Sequence, residues 1–158
     1  VGSEMCIRDS PIPDDIRIVT SHDGLDVLCD GPEDGILLVA HGQLCAEALA
    51  AVDQLDFPVR VVSPRWSLPV CGGLIEEAAR ARAVVSVEDG LVVSGLGSHL
   101  ADVLSQRGMW RPIRSLGIPQ RYLDHDSRSA IIAELGLDSR GIADAVSQLV
   151  AQLDGECS

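Results

Sequence analysis

The sequence predicts a three-layer α/β/α sandwich around a mostly parallel sheet of about five strands. Three observations lead there. Short, fully apolar runs such as Ile36-Leu37-Leu38-Val39-Ala40 recur along the chain, as strands buried on both faces require. Between them lie segments with apolar residues at helical spacing. The chain of 158 residues is also long enough for one domain with a core of its own.

The elements follow in order. Ile16 to Thr20 and Leu25 to Cys29 flank Ser21-His22-Asp23-Gly24 and read as a small hairpin. Gly31-Pro32-Glu33-Asp34-Gly35 then breaks the chain. Ile36 to Ala40 is a strand. Gln43 to Leu55 is a helix, with Leu44, Ala48, Ala51, Val52 and Leu55 on one face. Val59 to Val62 is a strand closed by Ser63-Pro64. Leu74 to Arg82 is a helix and Ala83 to Val87 a strand. Ser98 to Arg107 is a helix entered through Gly95-Leu96-Gly97. Arg111 to Leu116 is a weaker strand. Ser127 to Leu135 and Ser139 to Leu153 are the last helices, and Asp138 is placed to cap the second of them.

Composition excludes several kinds of chemistry. All 12 basic residues are arginine, and lysine is absent. A Schiff-base lysine and a P-loop lysine are therefore impossible. The net charge of −12 argues against nucleic acid and against anionic membrane surfaces. No apolar run reaches the roughly eighteen residues of a membrane span. The five cysteines and four histidines are scattered without metal-ligand spacing, so no metal site is expected. Scattered, odd-numbered cysteines read as reduced and cytoplasmic.

Four stretches hold chemistry-bearing residue types. Gly95-Leu96-Gly97-Ser98 enters a helix, where backbone N–H groups can hold an anion. The favoured reading is a tight loop whose Ser98 caps the helix. Together with Glu88 these residues form the candidate anion or interface site: Glu88, Gly95, Gly97 and Ser98. Glu88-Asp89 ends the third core strand, where ligands of α/β sheets bind, but such carboxylates also tie down neighbouring backbone. Ser21-His22-Asp23 has the residue types of a hydrolase triad. Adjacent residues cannot converge as a triad must, so the stretch reads as a turn. His41, His99 and His125 read as loop or packing residues, with Asp124 and Asp126 flanking His125.

Several stretches together resemble the C-terminal domain of the transketolase family. Gly35 to Gly42 with its following helix is one. Val61-Val62-Ser63-Pro64-Arg65-Trp66 with Leu68-Pro69-Val70 is another. Val84-Val85-Ser86-Val87-Glu88-Asp89 followed by Ser94-Gly95-Leu96-Gly97-Ser98 is the third. In the last third, Leu116 to His125, Glu134 to Asp138 and the helix after Gly141-Ile142 resemble the branch that condenses pyruvate with glyceraldehyde 3-phosphate. The beta subunits of 2-oxo-acid dehydrogenases share the earlier stretches but not that tail. The chain departs from the family pattern at Cys71, usually Asp, at Leu68, often Lys, at Ser94, usually Gly, and at His41, usually apolar.

The resemblance implies a piece of a longer homodimeric enzyme that uses thiamine diphosphate and Mg2+ and feeds isoprenoid and thiamine synthesis. It implies that the cofactor and substrate residues lie in the missing N-terminal and middle domains. No catalytic, cofactor-binding or metal residue is then carried by this chain, which helps to build the dimer and is inactive alone. A different class of reading is a stand-alone module that binds an anion at Gly95 to Ser98 or dimerises. An exposed apolar face would separate a fragment from such a module.

Residues 1–10, Val-Gly-Ser-Glu-Met-Cys-Ile-Arg-Asp-Ser, lack the apolar run of a signal peptide. They match the translation of a transposase-type sequencing adapter and read as a non-native leader. Residues 11–158 are then the domain.

Overall fold

A computed structural model describes residues 16–123 and 125–155. The leader at residues 1–10 lies outside them. The structure is an α/β/α sandwich on a six-stranded sheet. The strands are β1 (Thr20–His22), β2 (Leu25–Cys29), β3 (Ile36–Ala40), β4 (Val59–Pro64), β5 (Ala83–Leu91) and β6 (Ile113–Ile118). The helices are α1 (Leu44–Val52), α2 (Gly72–Arg80), α3 (Leu96–Gln106), α4 (Arg128–Glu134) and α5 (Ser139–Gly155).

The sheet order is β1-β2-β4-β3-β5-β6. The four strands from β4 to β6 run parallel, and β2 is antiparallel to both of its neighbours. The sixth strand arises because both arms of the hairpin join the edge of the sheet. Its turn is tighter than the four-residue stretch in the sequence suggests. His22 pairs with Leu25, leaving Asp23 and Gly24 as the loop. Both carry positive φ, 40° and 79°, the two-residue turn whose twist suits a hairpin.

The central strands are buried on both faces, and the period of two divides their side chains between two cores. Ile36, Leu38 and Ala40 of β3 pack with α1 and α5. Leu37 and Val39 pack with α2 and α3 on the opposite side. Along α5, Ile142, Ala143, Val146 and Leu149 are buried, the single stripe expected of a helix lying on a sheet. Asp138 caps it as expected, its carboxylate accepting from Gly141 N at 2.9 Å.

This winding creates a switch point. The chain leaves β3 toward α1 on one face and leaves the adjacent β5 toward α3 on the other. A crevice at the carboxyl ends of the strands is the usual ligand position of such sheets. His41, just past β3, stands there with its N–H donating to Val87 O of β5 at 3.3 Å.

Candidate functional site

β5 is longer than its apolar run. It continues to Leu91, with a register shift against β6 between Val87 and Leu91. Glu88 therefore sits inside the strand, at the irregular stretch, and turns toward the start of α3. Its carboxylate accepts from Leu96 N at 3.0 Å and from Gly97 N at 3.5 Å. These are orphan donors of the first helical turn, and a negative charge there also meets the positive end of the helix dipole. Gly95 is the N-cap, without a side-chain cap of its own. A Cβ at Gly95 would collide with the Glu88 carboxylate, and one at Gly97 with the hydroxyls of Ser86 and Ser115. The glycines thus let carboxylate, helix and strands close on one another.

Glu88, Gly95, Gly97 and Ser98 are brought together. Ser98, one of whose readings was a helix cap, lies inside α3 instead. Its Oγ donates to Val92 O at 2.7 Å, because Glu88, from another element, already holds the first-turn amides. Asp89 is exposed and pairs with Arg128 of α4 at 2.6 Å.

Ser21, His22 and Asp23 point to three different partners. Ser21 Oγ donates to Asp26 at 2.6 Å. His22 Nε2 is 3.5 Å from Glu77. Asp23 lies against Gly72 at the start of α2. That last contact bears on Cys71, the N-cap of α2, which supplies no side-chain hydrogen bond. The Asp23 carboxylate from the hairpin turn thus stands at the start of α2. His99 lies in the first turn of α3 and His125 is exposed; among the described residues neither joins a metal-ligating cluster. Asp124 lies outside the described residues.

A charged cluster was not anticipated. Glu77 of α2 is 2% exposed and Arg60 of β4 8%. Arg60 Nη2 donates to Glu77 Oε1 at 3.2 Å, and Arg60 Nε stands 3.0 Å from Oε2. Arg60 also pairs with Asp30, and Arg80 approaches Glu77 at 3.6 Å. The members come from β4, α2, the hairpin and the loop after it. No local pattern in the sequence marks such a meeting.

Burial pushes the Cys45 thiol up, partly offset by its hydrogen bond to Ser63. Burial also raises the Asp26 carboxyl, but the hydrogen bonds of Arg65 and Ser21 and the Arg65 charge outweigh it and hold the group below its ordinary value. Among the described residues no group of three or more His, Cys, Asp or Glu is placed to hold a metal ion. The start of α3, a natural phosphate position, is already filled by Glu88. These residues do not fit a magnesium diphosphate. No helix among the described residues is long and apolar enough to cross a membrane.

The family model for the transketolase C-terminal domain matches residues 26–142. This chain belongs to the transketolase C-terminal domain family. It is 97% identical over 148 residues to the 1-deoxy-D-xylulose-5-phosphate synthase of Cutibacterium acnes, covering 94% of this chain and 24% of that protein. It is 42% identical over 139 residues to 1-deoxy-D-xylulose-5-phosphate synthase 2 of Streptomyces avermitilis, covering 84% of this chain and 21% of that one. The chain thus spans about a quarter of the length of these transketolase relatives. A solved split gene transketolase, described as an inactive beta4 tetramer, superposes with a TM-score of 0.71 at 30% identity. The match covers 88% of this chain and 46% of that one. The transketolase of Campylobacter jejuni superposes at 0.58 with 16% identity over 84% of this chain and 20% of its own, a likeness of fold alone.

Proposed function

We propose that this chain is the C-terminal part of a 1-deoxy-D-xylulose-5-phosphate synthase of the cytoplasm. The intact enzyme uses thiamine diphosphate with Mg2+, condenses pyruvate with glyceraldehyde 3-phosphate and releases carbon dioxide. Its product feeds isoprenoid and thiamine synthesis. The observation that carries the reading is the 97% identity over 148 residues to a synthase about four times as long. In this reading the chain supplies no catalytic residue and serves the homodimer and the preceding domains.

An apolar face supports that role. Leu91 ends β5, and Val93 and Tyr122 lie just beyond β5 and β6, with exposures of 50%, 55% and 103%. Leu91, Ile118, Pro119 and Tyr122 line an open groove there. The Glu88, Gly95, Gly97 and Ser98 cluster lies on the same edge and is proposed as part of this interface. An incoming anion would have to displace Glu88 first. We also propose that the first ten residues are foreign, because they match the translation of a sequencing adapter.

The test is a graft. Residues 11–158 replace the matching segment of the Cutibacterium acnes synthase. The chimera is assayed for carbon dioxide release from pyruvate in the presence of glyceraldehyde 3-phosphate, thiamine diphosphate and Mg2+. Activity near that of the parent is expected. A folded chimera that forms no dimer and no product would overturn the reading.

A further inference from the structure

A serine in the loop after β4 rests on a histidine that the proposed function leaves unused. The ring of His41 bridges the end of β4 and that loop. Its Nδ1 is 3.2 Å from the Pro64 carbonyl oxygen, and its Nε2 is 3.0 Å from Ser67 Oγ. A carbonyl oxygen only accepts, so in the neutral ring Nδ1 carries the proton. Nε2 then presents its lone pair and the Ser67 hydroxyl donates to it. Nucleophile, base and a group that orients the base are thereby aligned, with a backbone carbonyl as the orienter.

The loop is held in place. Trp66 Nε1 donates to Pro69 O at 2.9 Å. Arg65 N donates to Gly24 O at 3.0 Å, and its guanidinium pairs with Asp26 at 3.0 Å. His41 and Ser67 are both half-buried and so within reach of a small molecule. Trp66 and Leu68, 45% and 48% exposed, flank the serine with apolar surface.

We propose that Ser67 is an activated nucleophile, with His41 as its general base, that takes the acyl group of small carboxylic esters with apolar acyl chains. Ser67 Oγ bonds to the ester carbonyl carbon as its proton passes to His41 Nε2. The tetrahedral adduct collapses, the carbon–oxygen bond to the alcohol breaks, and the alcohol leaves with the proton from Nε2. Water then attacks the acyl carbon, giving a proton to Nε2. Ser67 departs from the acyl group and takes that proton back. Nothing is oxidised or reduced.

The experiment uses the full 158-residue chain. It is incubated with p-nitrophenyl acetate and, separately, with a fluorophosphonate. Nitrophenolate release is followed, and the modified residue is mapped by peptide mass spectrometry, which also separates acylation of the thiol of Cys29. Stoichiometric label on Ser67 is expected. Ser67→Ala loses it, and His41→Gln slows it on the order of 100-fold, while both variants keep the wild-type melting curve. Label on Ser67 no faster than on exposed Ser129, or at equal rates with and without His41, overturns the proposal. The synthase reading does not depend on the outcome, because it rests on the graft.

Discussion

At Ser94 the backbone takes φ +62°, a left-handed angle that costs an L side chain roughly 1–2 kcal/mol. The resemblance to the transketolase family implies glycine at this position. Ser94→Gly should therefore raise stability by about 1 kcal/mol, or about 2–4 °C in Tm for a chain of this size. A calorimetric scan decides it; an unchanged or lower Tm would mean that Ser94 gains a compensating contact. Glu88 makes the opposite case. Glu88→Ala leaves Leu96 N and Gly97 N without their carboxylate and should cost about 1 kcal/mol, with Glu88→Gln losing less because an acceptor remains. Urea denaturation of both variants measures the difference. Asp26 adds a pH dependence. Its folded-state pKa lies below the unfolded one, the raising effect of burial being outweighed by Arg65 and Ser21. Its stabilisation is therefore present above about pH 4, the unfolded value, and is lost as the pH falls through the folded value. The stability of the wild-type chain should exceed that of Asp26→Asn at neutral pH, and the two should converge in acid. A gap that stays constant down to the lowest pH at which the chain is folded would exclude Asp26 as the titrating group.

The elements themselves were legible wherever burial alone decides them. β3 is apolar at all five positions because both cores need it. α5 shows its stripe because one face lies on α1 and the sheet. Ile142 is fully buried in that stripe, so Ile142→Ala should cost about 2–5 kcal/mol by lost transfer energy and a residual cavity. A loss under 1 kcal/mol in urea unfolding would mean that α5 docks loosely. What was not legible comes from partners far apart in the chain. β5 outruns its apolar residues because Leu91 pairs with Ile118 across a register shift. The cap of α3 comes from Glu88, eight residues before the amide it binds. Ser98 could not announce that it would be relieved of that role. Nothing in the sequence singles out Arg60 and Glu77, which β4 and α2 bury together. Likewise, nothing local links His41 to Ser67, 26 residues later.

Over the whole molecule, two forces act on the apolar face at the ends of β5 and β6. Leu91, Val93 and Tyr122 favour its burial against another surface. The net charge of −12 pushes copies of the chain apart. In the proposed enzyme the missing domains cover that face, whereas in the isolated chain water does. Copies should then associate weakly through it, and more strongly as salt is added. Screening shortens the reach of the repulsion to about 10 Å at 0.1 M salt, while apolar burial is unaffected. Sedimentation at low and high ionic strength tests this directly. The chain is expected to move from monomer toward dimer with salt, and Leu91→Glu with Val93→Glu should hold it monomeric without lowering Tm. The second result is the discriminating one. Both side chains are half exposed, so charge there has little core to disturb. A double variant that still dimerises would move the sticky surface elsewhere, to Ile18 and Val19 just before the edge strand, to Trp66 and Leu68, or to Trp110, which are also exposed. A wild-type chain that stays monomeric at every salt concentration would remove the physical argument that this face waits for a partner.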